Sequence, residues 1–208
     1  KKTMKKILYL NMLLCASLFS FAQSFKKIHA DAVVIDTHND FISTSIEKKV
    51  SFEQHLKGVT HSDLKRMKEG GIDIQIFAII QRNPKKTMLV KTPQDLEAAV
   101  KAGKLGCMMG VEGGHMMEDR LDYLDSLYKR GARYMTLTWN NSTDWASSAV
   151  DERAKNDLGH PYGLNAFGEK IVEHMNQLGM IVDISHVGEK TFYDAVRVSK
   201  KPVIASHS

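Results

Sequence analysis

The chain has 208 residues, 43% of them hydrophobic and 25% charged, the composition of a globular protein with length for one sizeable domain or part of a larger one. Its net charge of +5 owes four units to Lys1, Lys2, Lys5 and Lys6, which share the first 22 residues with no acid, so the remainder carries +1. That balance excludes the basic footprint of a nucleic-acid binder.

Met4-Lys5-Lys6 precedes an apolar run from Ile7 to Phe21, which is short for a membrane span. With the small residues Ser20 and Ala22 it predicts a signal peptide over residues 1–22 and export to the periplasm or the exterior. Beyond it Cys107 is the only cysteine, so this stretch forms no internal disulfide and must rely on its core and on metal.

From residue 30 onward, short apolar runs alternate with helix-period segments. The runs are Ala32–Ile35, Ile74–Ile80, Leu105–Val111, Tyr134–Thr138, Met180–Ile184 and Val203–Ala205. Several are apolar without alternation, as strands covered on both faces should be. Between them, Thr92-Pro93 with Asp95 at the third helical position opens a helix that Gly103 stops. Leu121, Leu124 and Leu127 set a helical stripe ending at Gly131, and residues 165–178 form another, closed by Gly179. Gly188–Ser199 reads as a further helix. Two connections are long, Phe41–Thr60 and Asn140–Gly163, and long connections in a compact domain often serve function.

Strand and helix in alternation predict parallel pairing through βαβ crossovers, which either a doubly wound open sheet or a closed barrel satisfies. The metal-type side chains decide between them. VVIDTHND (Val33–Asp40) ends the first run with His38 and Asp40, MMGVEGGH (Met108–His115) ends the third with Glu112, IVDISHVG (Ile181–Gly188) the fifth with His186, and VIASHS (Val203–Ser208) the sixth with His207. A barrel gathers the carboxyl ends of its strands around one mouth, whereas an open sheet spreads them along an edge. The expected fold is therefore a (β/α)8 TIM-like barrel of metal-dependent hydrolase type. Six runs before Ser208 make residues 23–208 the N-terminal portion of a single barrel of that kind. Three imidazoles and two carboxylates suit a borderline-soft divalent cation, zinc first, with ligands enough for two ions if one carboxylate bridges. A water shared by two such ions ionises near neutral pH and serves as nucleophile for hydrolysis.

The motifs VVIDTHND, GVEGGH, RYMTLTW, VDISHVG and ASHS, in this order and spacing, closely resemble the membrane (renal) dipeptidase family. The resemblance implies His38 and Asp40 on one zinc, His186 and His207 on the other, and Glu112 bridging both and orienting the attacking water. It implies hydrolysis of dipeptides to free amino acids by a metal-bound hydroxide, including dipeptides with a D-residue in second place. It leaves a homodimer open and indicates no membrane association in this piece. One position departs from the pattern: Trp139 stands where better-known members carry a substrate-contacting histidine. Tryptophan offers one donor and no acceptor. Either Trp139 lines an altered pocket or Asn140 and Asn141 supply the polar contact. Another amidohydrolase, such as one removing an acyl group from an amino acid, and a non-catalytic metal-binding barrel are the alternatives. His115 is a candidate for a place behind the ligands, and Asp36 and Asp183 for hydrogen bonds that orient a ligating histidine. His61 is given no special role.

Overall fold

The computed structural model describes residues 24–77 and 85–208; the leader expected over residues 1–22 and part of the second apolar run, from Ala78 to Ile80, lie outside the described residues. The chain divides into a unit ending at Val34 and one spanning Ile35–Ser208. The described part of the first is helix α1 (Phe25–Asp31), whose N-cap Ser24 accepts from the Lys27 amide.

The second unit carries the sheet. Its strands are β1 (Ile35–Asp36), β2 (Ile74–Phe77), β3 (Thr87–Leu89), β4 (Leu105–Val111), β5 (Ala132–Thr136) and β6 (Ile181–Asp183). The order is β1-β2-β4-β5-β6, with β3 paired to β4, and every pairing is parallel. β3 occupies Leu105 to Cys107 of β4, and β5 takes over from Met109, with a register shift at Met109/Gly110. Ile204 adds one parallel bridge to Asp183, on the outer side of β6.

The two edges of this sheet meet. Thr37, just past β1, donates its hydroxyl to the Ser206 carbonyl at 2.5 Å. In a flat sheet of this many strands, spaced ~4.8 Å apart, those segments would lie more than about 20 Å from each other. The sheet is therefore curled into part of a TIM-like barrel, and the open-sheet alternative falls.

The helices of this unit are α2 (Phe41–Lys48), α3 (Leu64–Glu69), α4 (Pro93–Lys101), α5 (Leu121–Arg130), α6 (Ala149–Ala154), α7 (Ala166–Leu178) and α8 (Glu189–Val198), of which α4 packs on β3 and β4, α5 on β5 and α7 on β6. α4 begins as its sequence predicts, with a reciprocal capping box between Thr92 and Asp95 and Pro93 in its first turn. α5 and α7 end at Gly131 and Gly179, both left-handed. Leu124, Ile171, Val172, Met175 and Ala195 from the helices pack with Met135 and Val182 from the strands and Leu137 just past β5 in the largest apolar cluster. Each fully buried Leu or Met side chain there contributes ~1.5–3 kcal/mol. β5 alternates between two environments: Met135 belongs to that cluster, while Tyr134 and Thr136 point their polar ends to the concave side.

Three expectations are shifted. The first strand lies at Ile35–Asp36 rather than Ala32–Ile35, the fourth begins at Ala132, and Val203–Ala205 contributes a single bridge rather than a strand. β3 and helices α1, α2, α3 and α6 have no counterpart in the sequence reading. α3 depends on Asp63, its N-cap, whose fully buried carboxylate accepts from Arg66 N and Nε and from Leu56 N.

Candidate metal centre

His38, Asp40, Glu112, His186 and His207 come from four separate chain segments, and the curl of the sheet brings their side chains to one place. Glu112 follows β4 and sits between two pairs. Its Oε2 lies 3.7 Å from His38 Nε2, while its Oε1 lies 2.9 Å from His186 Nε2 and 3.4 Å from His207 Nε2. Within the pairs, His38 Nε2 is 3.2 Å from Asp40 Oδ1, and His186 Nε2 is 2.8 Å from His207 Nε2. Two donors on one tetrahedral zinc, each at ~2.0–2.2 Å, stand roughly 3.4 Å apart. The observed separations fall around that value. His38, Glu112 and His207 each place a ligand atom within 4.8 Å of the other two.

The second nitrogen of every histidine is held. His38 Nδ1 meets the Tyr134 hydroxyl at 3.3 Å, His186 Nδ1 meets Asn140 Oδ1 at 3.2 Å, and His207 Nδ1 meets Ser206 Oγ at 2.9 Å. All three rings thus turn Nε2 inward, the arrangement that keeps a lone pair free for a cation. Burial pushes the His207 pKa down, and the neighbouring His38 adds to this, so the ring favours its neutral, ligating form. The donor set fits a borderline-soft divalent cation such as zinc.

Local structure explains the aim of each group. Asp40 is the N-cap of α2 yet makes no capping hydrogen bond, so its largely exposed carboxylate is not engaged by the helix amides. His186 sits at φ +62, a left-handed conformation uncommon for a residue other than glycine. Tyr134 reaches His38 over Gly110, where an added Cβ would fall 2.2 Å from the phenol ring.

Trp139 is half-exposed, its ring centroid 6.4 Å from that of His186. Asn140 engages His186 through its amide, and Asn141 Nδ2 lies 3.0 Å from His115 Nε2, which also contacts the Ser142 carbonyl. Asp151 anchors the loop carrying these residues. It accepts from Ser142 Oγ and N, Ser148 Oγ and Asn156 Nδ2, and these bonds, Ser142 foremost, hold its pKa down at about 2. A cavity of roughly 200 Å³ opens beside His38 and Asp40, with Thr44, Thr60 and His61 in its wall. The residues that sequence reasoning passed over are His61, Tyr134 and Ser206. Tyr134 and Ser206 lie inside the quoted motifs, but nothing in their spacing shows that they touch a histidine.

A family model described as membrane dipeptidase (Peptidase family M19) matches residues 78–208, more than half of the chain. The chain belongs to the membrane dipeptidase family. Among curated members, an uncharacterised dipeptidase of Schizosaccharomyces pombe is 33% identical over 230 residues, covering 89% of this chain and 54% of that protein. Dipeptidase 3 of Homo sapiens is 31% identical over 204 residues, covering 84% of this chain and 41% of its own length. The chain thus spans about half, or less, of the length of these membrane dipeptidase relatives. Among solved structures, a metallo peptidase of Rhodobacter sphaeroides, bound to a phosphinate mimic of L-Ala-D-Ala, matches with a TM-score of 0.70 at 22% identity. That match covers 85% of this chain and 65% of that one. The structure named dipeptidase AC, a metallo peptidase, matches with a TM-score of 0.71 at 23% identity, covering 85% and 63%. At such identities the two structures establish the barrel fold alone.

Proposed function

We propose that the full-length protein is an exported dipeptidase that uses two zinc ions to hydrolyse dipeptides to free amino acids. The observation that carries this reading is the division of Glu112: one carboxylate oxygen faces His38 and the other faces His186 and His207. A structural zinc closes its shell with four ligands and has no use for a carboxylate shared between two donor pairs. His38 and Asp40 would hold one ion, His186 and His207 the other, with Glu112 common to both. When bound, such a pair supplies positive charge for the developing oxyanion and a water that ionises near neutral pH. Glu112 would orient that water, and the inward-turned Nε2 atoms of His38, His186 and His207 would hold the ions, with burial pushing the His207 pKa down and so favouring its ligating form. The dipeptide substrate follows from family membership and from the dipeptide mimic bound to the Rhodobacter sphaeroides relative.

Metal analysis of the purified full-length protein, then hydrolysis of a panel of L-L dipeptides, L-D dipeptides and N-acyl amino acids, tests the proposal. About two zinc ions per chain and turnover of dipeptides are expected. A stoichiometry of one with all five ligands intact would overturn the bridged site. Cleavage of the N-acyl compounds in preference to dipeptides would transfer the protein to another amidohydrolase activity. Export is checked by cell fractionation, and retention of the whole chain in the cytosol would remove that part of the proposal.

A further inference from the structure

Asp183 ends β6 with its side chain fully buried, and donors saturate both of its oxygens. Oδ2 accepts from Thr136 Oγ1 at 2.6 Å and from Ser206 Oγ at 2.7 Å. Oδ1 accepts from the Ser185 amide at 3.1 Å, the Ser185 hydroxyl at 2.9 Å and the Ser206 amide at 2.9 Å. Ser185 and Ser206 are the residues directly before His186 and His207, so one buried carboxylate holds both segments that carry these histidines.

The proton count goes further. A serine hydroxyl has one proton and can accept in addition. Ser185 gives its proton to Asp183 and accepts from the His207 amide at 3.1 Å. Ser206 gives its proton to Asp183, so its oxygen can only accept at His207 Nδ1, 2.9 Å away. The proton in that contact therefore belongs to Nδ1, which leaves the lone pair on Nε2, the atom 3.4 Å from Glu112 Oε1. With the proton on Nε2 instead, Ser206 would have to donate to the ring, and a buried carboxylate would lose one of its donors.

The geometry points to Asp183 acting through Ser206 as the positioning group of His207, fixing the Nδ1–H tautomer before any metal arrives. Neither residue is among the five candidate ligands. Their work is to present His207 Nε2 in ligating form at a set angle, so the ring pays no tautomer change when a cation binds. The consequence for metal affinity rests on the zinc reading above, whereas the tautomer itself does not.

Nitrogen-15 spectra of histidine-labelled, metal-free full-length protein near pH 8, above the ordinary histidine range, report which ring nitrogen bears the proton. The wild-type protein should show His207 protonated at Nδ1. Ser206→Ala keeps the backbone amide bond to Asp183 but removes the relay, so the Nε2–H form should appear. Its zinc affinity at the step involving His207 should drop about 10–100-fold. Ser206→Thr keeps a hydroxyl and should restore both readouts, which a purely structural role would not require. An Nε2–H signal for His207 in the wild-type protein, or unchanged spectra and zinc binding in Ser206→Ala, would overturn the assignment. If the wild-type protein binds no zinc while His207 carries Nδ1–H, the proposed function fails and the relay stands.

Discussion

Alanine at Gly110 would drive a methyl group into the ring of Tyr134. An ideal Cβ there lies 2.2 Å from Tyr134 Cζ and 2.6 Å from its hydroxyl oxygen, against the ~3.5–4.0 Å of an ordinary contact. Gly110 and Tyr134 are register partners on adjacent strands, so the backbones cannot separate without breaking the ladder, and the ring must move by more than about 1 Å. Tyr134 is 1% exposed, which leaves it no open space to move into. Overpacking of this kind costs about 1–3 kcal/mol, and at about 2–4 °C per kcal/mol for a unit of this size Tm should fall by roughly 2–12 °C. The hydroxyl would leave His38 Nδ1, now 3.3 Å away, and free the ring to turn. A ~1 Å error at a reacting site can cost ~100-fold in rate. Calorimetry, zinc titration and dipeptide turnover on the full-length variant measure the three effects. In a Tyr134→Ala background, where nothing fills the space, the stability cost of Gly110→Ala should largely vanish. Wild-type Tm and wild-type zinc affinity in Gly110→Ala would refute the argument that Tyr134 holds His38 from across the sheet.

Glu112→Gln should lower turnover by orders of magnitude while circular dichroism stays close to wild type, because glutamine keeps the shape and loses the charge that holds two dications ~3.5–4 Å apart; near-normal turnover would show that Glu112 does not bridge. Leu124→Ala removes a fully buried side chain from the main cluster and should cost about 2–5 kcal/mol in denaturant unfolding, a loss below 1 kcal/mol being evidence that α5 is not packed as described. Burial pushes the Asp63 pKa up, but the Arg66 amide and side chain and the Leu56 amide outweigh it, bringing the group from 3.8 down to about 2. A depressed carboxylate stabilises the fold above its unfolded value and loses that contribution as pH falls through the folded one. Acid titration should therefore remove on the order of 2 kcal/mol between about pH 4 and pH 2, and Asp63→Asn should flatten that step.

Much of this fold is legible along the chain because its signals are local. β4 coincides with the apolar run Leu105–Val111, since a central strand covered on both faces needs no polar alternation. The limits of α4 and α5 are written in Thr92-Pro93, Asp95 and Gly131, each acting within a turn of its own position. The five metal-type residues stand out for the same reason: each falls at or just past the end of an apolar run. β3 left no such mark, because three residues, Thr87–Leu89, become a strand only by pairing with the lower half of β4. Helices α2, α3 and α6 have only eight, six and six residues, too few to repeat an apolar period; Asp63 starts α3 by satisfying amides that include one from Leu56, outside the helix.

What the sequence by itself determined is the alternation of strands and helices and the identity of the candidate ligands, because hydrophobic period, capping and side-chain chemistry act over a few residues. What only the tertiary structure decided is how those ligands are aimed. The partners of their second nitrogens come from distant positions for two of the three rings: Tyr134 for His38, 96 residues away, and Asn140 for His186, 46 residues away. Ser206 adjoins His207, but its proton is committed by Asp183, 23 residues upstream on the neighbouring segment. Such contacts follow from the curl that brings Thr37 to Ser206, and no local period carries information about which strand ends will meet once a sheet has rolled up.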